Sequence, residues 1–516
     1  MQRILSIGLL CLMTVGLLTT GCKQTEIDGA YVNPSGAVSA DVQRLWAGLL
    51  FNERVSPRYR NLYTFLIPEM GTYSQLGGFT TSTGVYEQVT AYNAERWDVY
   101  YTQTMARYRE MEKVYAGLNA DDKAGLQLFM ETGRVFLYDQ TAQMIDLWGD
   151  IPFSTAGQLN AQGTIGLATY DDSKTTYTTM LTDLKRISDY LATAKPSSFY
   201  TGQFTSYDYV NKGDITKWRK YCNALMLRLA MRISNSDEAT AKTLVTTLLN
   251  NPTQYPLPDA ASESITIQPA ATTSNLVAIN DIRNGFGVNP FPSAALIDNV
   301  MAPANDPRLP VYFTTSNTGK YTGIVNTWTA TQLQNAQTAG AVSRWDSTTF
   351  TENNLFPGIL MTSAESWFNK AEAFERWGLG NAKTAYESGI RQSIAFWYGI
   401  NAGSSASGRK DTAPTEAQIT SFLAQPTVVY GTDNLKKIAT QKWVDYTIMQ
   451  ATQAWAEARR TKLVASTFPI DNGSATAKTP PTRLLYPTSE SSLNTVNYST
   501  VRPKDTMTAR IFWDVK

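Results

Sequence analysis

The sequence contains no histidine among its 516 residues. This absence excludes Ser-His-Asp hydrolysis, metal sites built on imidazole ligands, and proton transfer by an imidazole base. The chain also lacks the Gly-x-x-x-x-Gly-Lys-Ser/Thr phosphate loop, the Gly-x-Ser-x-Gly elbow of serine hydrolases and the EF-hand calcium loop. We therefore predict no cofactor, no metal site and no enzymatic activity. The alternatives are a glycosidase, which needs only two carboxylates, and a bound calcium ion, which needs only oxygen ligands.

Charged residues and cysteines are also scarce. Charged residues make up 17% of the chain, against ~25% in most soluble domains, and 45 Lys plus Arg balance 44 Asp plus Glu. Because this balance creates no global field for a polyanion, we expect no nucleic-acid partner. The cysteines are Cys11, Cys22 and Cys222. If export removes the first and lipid occupies the second, Cys222 has no disulfide partner, and we expect it to be a small buried residue.

The amino-terminal segment has the layout of an export signal. Its apolar run, Ile4 to Leu18, is shorter than the ~20 residues that span a bilayer, and it follows Arg3. The residues before Cys22 resemble a bacterial lipobox, although Thr19 stands where that pattern prefers Leu. The resemblance implies removal of residues 1–21 and lipidation of Cys22, which would anchor the protein to a membrane through lipid alone. An ordinary secretory signal with an incidental cysteine is the alternative.

Helical periodicity dominates two parts of the mature chain, about 41–250 and about 360–462. In the first part, apolar stripes predict helices over about 94–118, from caps at 119–122 to near 149, over about 173–191 and over about 214–233. In the second part, the spacing predicts a helical hairpin within 361–399 and one long helix from about Asp433 to Lys462. The small and aromatic positions of the hairpin resemble the tetratricopeptide pattern: Ala371, Phe374, Ala382 and Tyr386.

The remaining segments show little periodicity. Residues 251–357 are rich in Gly, Pro, Asn and aromatic residues, which predicts a loop-rich insert. Residues 463–516 are predicted to be mostly irregular. We therefore expect residues 22–516 to form a single, mainly α domain in which helical pairs support a loop-rich face.

Six stretches occur in a characteristic order behind the lipobox: LWGDIPFS (147–154), YDDSKTTYTTMLTDL (170–184), GDITKWRKYCNALMLRLAMRIS (213–234), AESWFNKAEAF (364–374), QKWVDYTIMQATQAWAEARRT (441–461) and RLLYPTSE (483–490). Together they resemble the SusD/RagB-like outer-membrane lipoproteins of Bacteroidetes. The resemblance implies a SusD-like fold, in which tetratricopeptide-like helical pairs form a scaffold with an irregular ligand-binding face. It also implies a surface-exposed, lipid-anchored protein that delivers a nutrient to a SusC-like TonB-dependent barrel. An oligosaccharide is the expected ligand; a peptide ligand, or a scaffold that binds only proteins, are the alternatives.

Most of the motif residues have the spacing of a helical core rather than of a ligand site. Trp218, Leu225 and Leu229 lie on one apolar stripe. We expect Arg228 and Arg232, which lie on the same helix, to pair with carboxylates or helix caps.

A glycan site needs aromatic platforms beside amide, carboxylate or guanidinium groups. Three segments combine these residue types outside a clear helix: 71–88, 280–291 and 326–347. The candidate ligand-binding residues are Tyr73, Phe79, Arg283, Phe286, Trp328 and Trp345. The alternative for each is that it merely anchors its loop, because large aromatic side chains are mostly buried.

Overall fold

The computed structural model describes residues 40–79, 81–158, 166–269, 281–287, 289–464 and 468–516. The predicted signal, residues 1–21, and Cys22 lie outside these ranges. Residues Val42–Lys516 make up one structural unit, and the described part of it is mostly helical, as the sequence predicted.

Several helices of the first helical part begin at a polar capping side chain, among them those that follow Asn119, Asp172 and Asp237. Asp214, for example, accepts a hydrogen bond from the Lys217 amide at 3.0 Å, as expected for an N-cap. This part contains α1 (Val42–Leu50), α2 (Tyr59–Asn61), α3 (Gly71–Ser74), α4 (Thr90–Val99), α5 (Ala106–Ala116), α6 (Ala120–Trp148), α7 (Ser173–Thr193), α8 (Ser198–Tyr207), α9 (Ile215–Ile233) and α10 (Glu238–Asn250). The strands β1 (Ile151–Pro152) and β2 (Tyr170–Asp171) form a short antiparallel pair between α6 and α7.

Two π-helical segments make longer rods from these helices. Tyr100–Met105 joins α4 to α5, so the predicted helix over 94–118 is one rod with a wider middle. Leu62–Met70 joins α2 to α3, and we call residues 59–74 the helical rod. Its π-helical segment contains Pro68, which lacks an amide proton and so disfavours regular α-helical hydrogen bonding. Gln75, with φ of 57°, ends the rod.

The core of this part is built from the predicted apolar stripes. Helix α1 packs on α5 and α6, and α7 packs on α9. Trp218 and Leu225 of α9 are fully buried. Cys222 lies on the same buried face, with its sulfur 3.2 Å from the Leu184 carbonyl, and burial raises the pKa of its thiol. It is therefore the buried, unreactive residue that the sequence predicted.

The second helical part contains the predicted hairpin. Its two helices pack closely: a Cβ atom added at Gly389 would lie only 2.6 Å from the Phe368 ring. The part comprises α14 (Ser363–Trp377), α15 (Ala382–Ala402), α16 (Glu416–Leu423), α17 (Asn434–Tyr446) and α18 (Ala451–Thr461).

The prediction of one long helix from Asp433 to Lys462 was wrong. The chain breaks at Thr447, which has a φ of 46°, and a 3₁₀ turn over Ile448–Gln450 separates α17 from α18. Tertiary contacts hold this break in place. Ile448 is fully buried and packs so closely on Gly71 of the helical rod that an added Cβ there would lie 2.5 Å from it.

The insert between the two helical parts is irregular, as predicted, with short elements. Its helices are α11 (Asp281–Phe286), α12 (Leu309–Tyr312) and α13 (Ala330–Thr338), with π-helical turns at Ile297–Met301 and Ser347–Thr351 and a 3₁₀ turn at Ala261–Glu263. Strand β3 (Ile265–Ile267) pairs antiparallel with β4 (Gly358–Met361), which leads into α14. This pairing ties the start of the insert to its end.

The carboxyl-terminal segment packs back on the first helical part. The Leu484 amide donates to the Leu147 carbonyl at 2.8 Å, and the Trp148 indole donates to the Leu485 carbonyl at 2.9 Å. Two of the stretches that carried the resemblance therefore touch. The segment contains α19 (Thr488–Leu493), α20 (Thr495–Tyr498) and a 3₁₀ turn at Arg502–Lys504. Of the helices within the described ranges, none combines the length and the apolar character needed to cross a membrane.

Candidate functional site

Three segments that are distant in sequence enclose a pocket of about 300 Å³. They come from the chain after the helical rod, from the turn before α13, and from the chain after α18. We call it the Trp328 pocket, and its lining residues are Phe79, Ser82, Val85, Asn326, Thr327, Trp328, Thr329, Pro469, Ile470 and Asp471.

Trp328 is held in place from two sides. It is half-buried and packs on a small hydrophobic cluster of its own, made by Phe291, Ile324, Leu333 and Val342. The next residue, Thr329, forms a capping box with Gln332: each side chain accepts a hydrogen bond from the other residue's amide, at 3.3 and 2.9 Å. Because the start of α13 is fixed in this way, the indole has a defined position at the pocket wall.

Asp471 joins two walls of the pocket. One carboxylate oxygen accepts a hydrogen bond from the Val85 amide at 3.0 Å, and the other accepts from the amides of Gly473 and Ser474 at 3.0 and 3.2 Å. The side chain is buried. Its oxygens thus bind backbone groups and shape the turn over residues 471–474.

Phe79 forms the inner wall and connects the pocket to the core. Its ring lies edge-on to Tyr86, with centroids 5.8 Å apart, and Tyr86 lies 6.3 Å from Phe468. The Tyr86 hydroxyl donates to the Pro469 carbonyl at 2.8 Å. Burial raises the pKa of Tyr86, so its hydroxyl stays protonated and remains a donor.

The pocket combines apolar surface with uncharged polar groups. Ile470 is 65% exposed, and Ser82 and Thr327 are also exposed. The Oδ1 atom of Asn326 is buried and accepts no hydrogen bond from the protein. Such a site can bury a flat C–H face against the indole while an amide and hydroxyl groups bind the hydroxyl groups of a ligand.

The structure brings two of the six predicted ligand residues together. Phe79 and Trp328 line the same pocket. Arg283 lies elsewhere: it is 76% exposed on α11 and faces a different cleft, described below.

The other three predicted residues, Tyr73, Phe286 and Trp345, offer no exposed face. All three are buried. Tyr73 lies 5.3 Å from Trp455 in the main core, and Trp345 lies 4.9 Å from Phe313 in a cluster of aromatic rings. The expectation of an exposed platform at these positions is therefore corrected, because each ring anchors its loop to the core. Phe79 is also only 4% exposed, so Trp328 is the half-exposed aromatic ring of this pocket.

Sequence reasoning missed the third wall, Pro469 to Asp471. These residues lie in a segment predicted only to be irregular. The available signal was the succession of Phe468, Ile470 and the turn-forming residues 471–473, which read Asp-Asn-Gly. Within the described ranges, the structure contains no group of three acidic or thiol side chains arranged to hold a metal ion.

Comparisons with known proteins agree with this architecture. Residues 50–487 match the model of the SusD-like family, described as "Starch-binding associating with outer membrane". A chitin-binding protein of known structure is 21% identical, with a TM-score of 0.73 over 92% of this chain and 99% of that one. No curated protein sequence matches the chain.

Two further structures are similar to the same degree. A SusD homologue from Bacteroides uniformis is 20% identical, with a TM-score of 0.72 over 93% of this chain and 100% of that one. A chitin-binding SusD homologue from Flavobacterium johnsoniae is 21% identical, with a TM-score of 0.69 over 92% and 99%. At these identities the likeness shows the fold, and it is the fold that the sequence predicted.

Proposed function

The chain belongs to the SusD-like family, and from that premise we propose that it binds an oligosaccharide in the Trp328 pocket at the outer membrane. The observation that carries this proposal is the half-exposed Trp328 ring beside Asn326, Ser82 and Thr327. A sugar ring has a C–H face that packs on an aromatic ring and hydroxyl groups that bind amides and hydroxyls. Burying on the order of 100 Å² of apolar surface contributes about 2–3 kcal/mol, which fits a reversible capture step.

The same residues favour a glycan over a peptide and binding over catalysis. A peptide with free ends would need charged partners, whereas Asp471 is the one charged residue among the described residues that line this pocket, and its oxygens bind backbone amides. A glycosidase needs two carboxylates on either side of the scissile bond, and this pocket offers one that is already engaged. The proposed role is therefore non-catalytic.

The test is binding of neutral oligosaccharides to the purified protein and to two Trp→Ala variants. We expect chito- or malto-oligosaccharides to bind, and Trp328→Ala to weaken that binding at least ~10-fold, about 1.4 kcal/mol. The matched control is Trp377→Ala, which removes a half-buried indole at the end of α14 that does not line the pocket. An unchanged affinity in Trp328→Ala would refute the site, and binding of peptides alone would refute the ligand class.

Delivery to a transporter and lipid anchoring complete the proposal. We propose that a lipid on Cys22 tethers the protein beside a SusC-like TonB-dependent barrel, so that a released glycan is recaptured at high local concentration. Cys22→Ser should abolish labelling by radioactive fatty acid and release the protein from membranes. Affinity purification of the unaltered protein from its native envelope should recover the barrel. Recovery of the barrel without any glycan binding would favour the protein-scaffold alternative.

A further inference from the structure

A second cleft, which shares no lining residue with the Trp328 pocket, lies beside the amino-terminal end of the helical rod. Its volume is about 900 Å³, and residues of the rod and of α11 line it. The rings of Tyr59 and Tyr63 stack, with centroids 4.6 Å apart and planes at 28°. Tyr59 is 36% exposed. These two residues are one helical turn apart, so the stack is a preformed aromatic surface.

Arginine is the main charged residue of this cleft. Arg58, Arg60 and Arg283 line it, against the single carboxylate of Glu53. Arg60 and Arg283 are 67% and 76% exposed, and their nearest carboxylates lie at 3.1 and 4.0 Å. A guanidinium has five N–H donors, so one such contact leaves donors accessible to a ligand anion. Exposed ion pairs of this kind are also weak and exchange readily.

Two buried arginines connect to Arg60 of the cleft through shared contacts. Arg54 and Arg96 are both buried. Glu95 lies 3.6 Å from Arg54 and 3.1 Å from Arg60, so one carboxylate serves two guanidinium groups. The pKa of Arg96 is lowered to about 9, first by its burial and then by the charge of Arg54. Among the residues that line the cleft, three arginines thus stand against one carboxylate, in a chain whose formal net charge is only +1.

Close packing holds the two walls of the cleft together. Helix α11 lies directly on the helical rod. The contact is so close that a Cβ atom added at Gly285 would be 2.7 Å from the Leu62 side chain. The Arg58 guanidinium lies 4.9 Å from the centre of the Phe51 ring. The aromatic stack and the arginines therefore line one space.

We propose that this cleft, the Tyr59 cleft, is a second binding site that takes an acidic saccharide. The Tyr59 and Tyr63 stack packs on the face of a sugar ring, and Arg60 and Arg283 bind its carboxylate or sulfate groups. A neutral sugar would not use the arginines, and an inorganic anion would not use the aromatic stack. An anionic sugar uses both. The proposal is independent of the Trp328 pocket, which lacks arginine among its lining residues.

The test compares an oligogalacturonate, a sulfated oligosaccharide and a neutral malto-oligosaccharide on the full protein and three variants. We expect at least one anionic oligosaccharide to bind, and the double variant Arg60→Ala/Arg283→Ala to weaken that binding at least 10-fold. Raising the salt from ~0.05 M to ~0.5 M should weaken it several-fold in the unmodified protein and less in the double variant. Trp328→Ala should leave the binding of the anionic oligosaccharide unchanged.

Arg409→Ala is the matched control, since Arg409 is 73% exposed, pairs with Asp411 at 2.7 Å and does not line the cleft. Both arginines in the double variant are exposed, so we expect its thermal unfolding to be unchanged. The carboxylate and sulfate arms show which anion is preferred. The proposal is overturned if neither anionic oligosaccharide binds, if the double variant binds as the control does, or if anionic lipid vesicles bind in place of both sugars. Loss of neutral-glycan binding in Trp328→Ala tests the other pocket separately.

Discussion

Arg228 of α9 and Glu365 of α14 form a bidentate ion pair in the interior: Nε to Oε1 and Nη2 to Oε2 are both 2.6 Å. A third nitrogen of the same guanidinium donates to Asp139 of α6 at 3.1 Å. All three side chains are buried. One arginine therefore joins the first helical part of the chain to the second.

Replacing this arginine should destabilise the whole fold. Arg228→Met leaves two carboxylates buried without their partner, which costs about 3–5 kcal/mol of unfolding free energy. Glu365→Gln should lower the unfolding free energy by less, because the ion pair between Arg228 and Asp139 remains. Urea unfolding followed by circular dichroism measures both. The control is Lys185→Met, which breaks an exposed pair with Asp189 and should cost less than ~1 kcal/mol. An equal cost for Arg228→Met and the control would contradict the role assigned to the pair.

The helical scaffold could be predicted because its signals are local. The stripes in α6, α7 and α9 have helical spacing, and each helix starts at an Asn or Asp cap. The break at Thr447 could not be predicted, because a β-branched residue with positive φ is held there by packing against a distant helix. The partners of Arg228 were expected only as unspecified carboxylates, since Glu365 lies 137 residues away.

The candidate site was harder to predict for a related reason. Sequence composition identified segments with aromatic and amide residues, and one of them contains Trp328. It could not tell a buried ring from an exposed one, because burial depends on which loops meet. Trp345 and Trp328 lie in the same predicted segment, yet one packs on Phe313 inside and the other lines a pocket. Arg283 was expected to bind a ligand, and that expectation continues in the proposal for the Tyr59 cleft.

Removing the Asp471 carboxylate should loosen the Trp328 pocket without unfolding the protein. Asp471→Ala leaves the amides of Val85, Gly473 and Ser474 without their acceptor, so we expect a several-fold loss of neutral-oligosaccharide affinity. Asp471→Asn keeps one acceptor oxygen, so its affinity should lie between that of Asp471→Ala and that of the unmodified protein. Asp172→Ala, which removes the cap of α7, serves as control: it should cost ~1 kcal/mol of stability and leave binding intact. Equal binding by Asp471→Ala and the unmodified protein would count against this role.

Glu69 should make stability depend on pH. It is buried in the helical rod, its Oε1 accepts a hydrogen bond from the Val89 amide at 2.7 Å, and burial raises its pKa from 4.5 to about 8. Between these values the folded protein keeps a proton that the unfolded chain releases. The stabilisation of the folded protein by this bound proton is therefore fully present below about pH 4.5 and is lost as the pH rises through about 8.

Glu69→Gln isolates this effect, because the amide stays neutral at every pH. Relative to the unmodified protein, the variant should gain a few kcal/mol of unfolding free energy between pH 5 and pH 9. Urea unfolding at several pH values measures the difference between the two proteins, which cancels the contributions of other groups. Parallel pH curves for the two proteins would show that Glu69 is ionised in the folded state throughout.

The small hydrophobic cluster behind Trp328 should depend on Gly323. A Cβ atom at this position would overlap the backbone of Ser293 and Ala294, and neither can move aside cheaply. The same segment is held by backbone hydrogen bonds: the Ala294 amide donates to the Ile324 carbonyl at 2.7 Å, and the Ile324 amide donates to the Pro292 carbonyl at 2.9 Å. Because Ile324 belongs to the cluster, displacing it removes the support of Trp328.

We therefore expect Gly323→Ala to open residues 322–345 locally while the main helical core stays folded. Hydrogen exchange should lose protection in that segment and keep it in α9 and α14, and neutral-oligosaccharide affinity should fall together with the lost protection. Gly202→Ala is the control, since no atom lies within 4 Å of its added Cβ and alanine favours its helix. Normal protection of residues 322–345 in Gly323→Ala would mean that the strandlike contact between residues 292–294 and 324 is not what positions the indole.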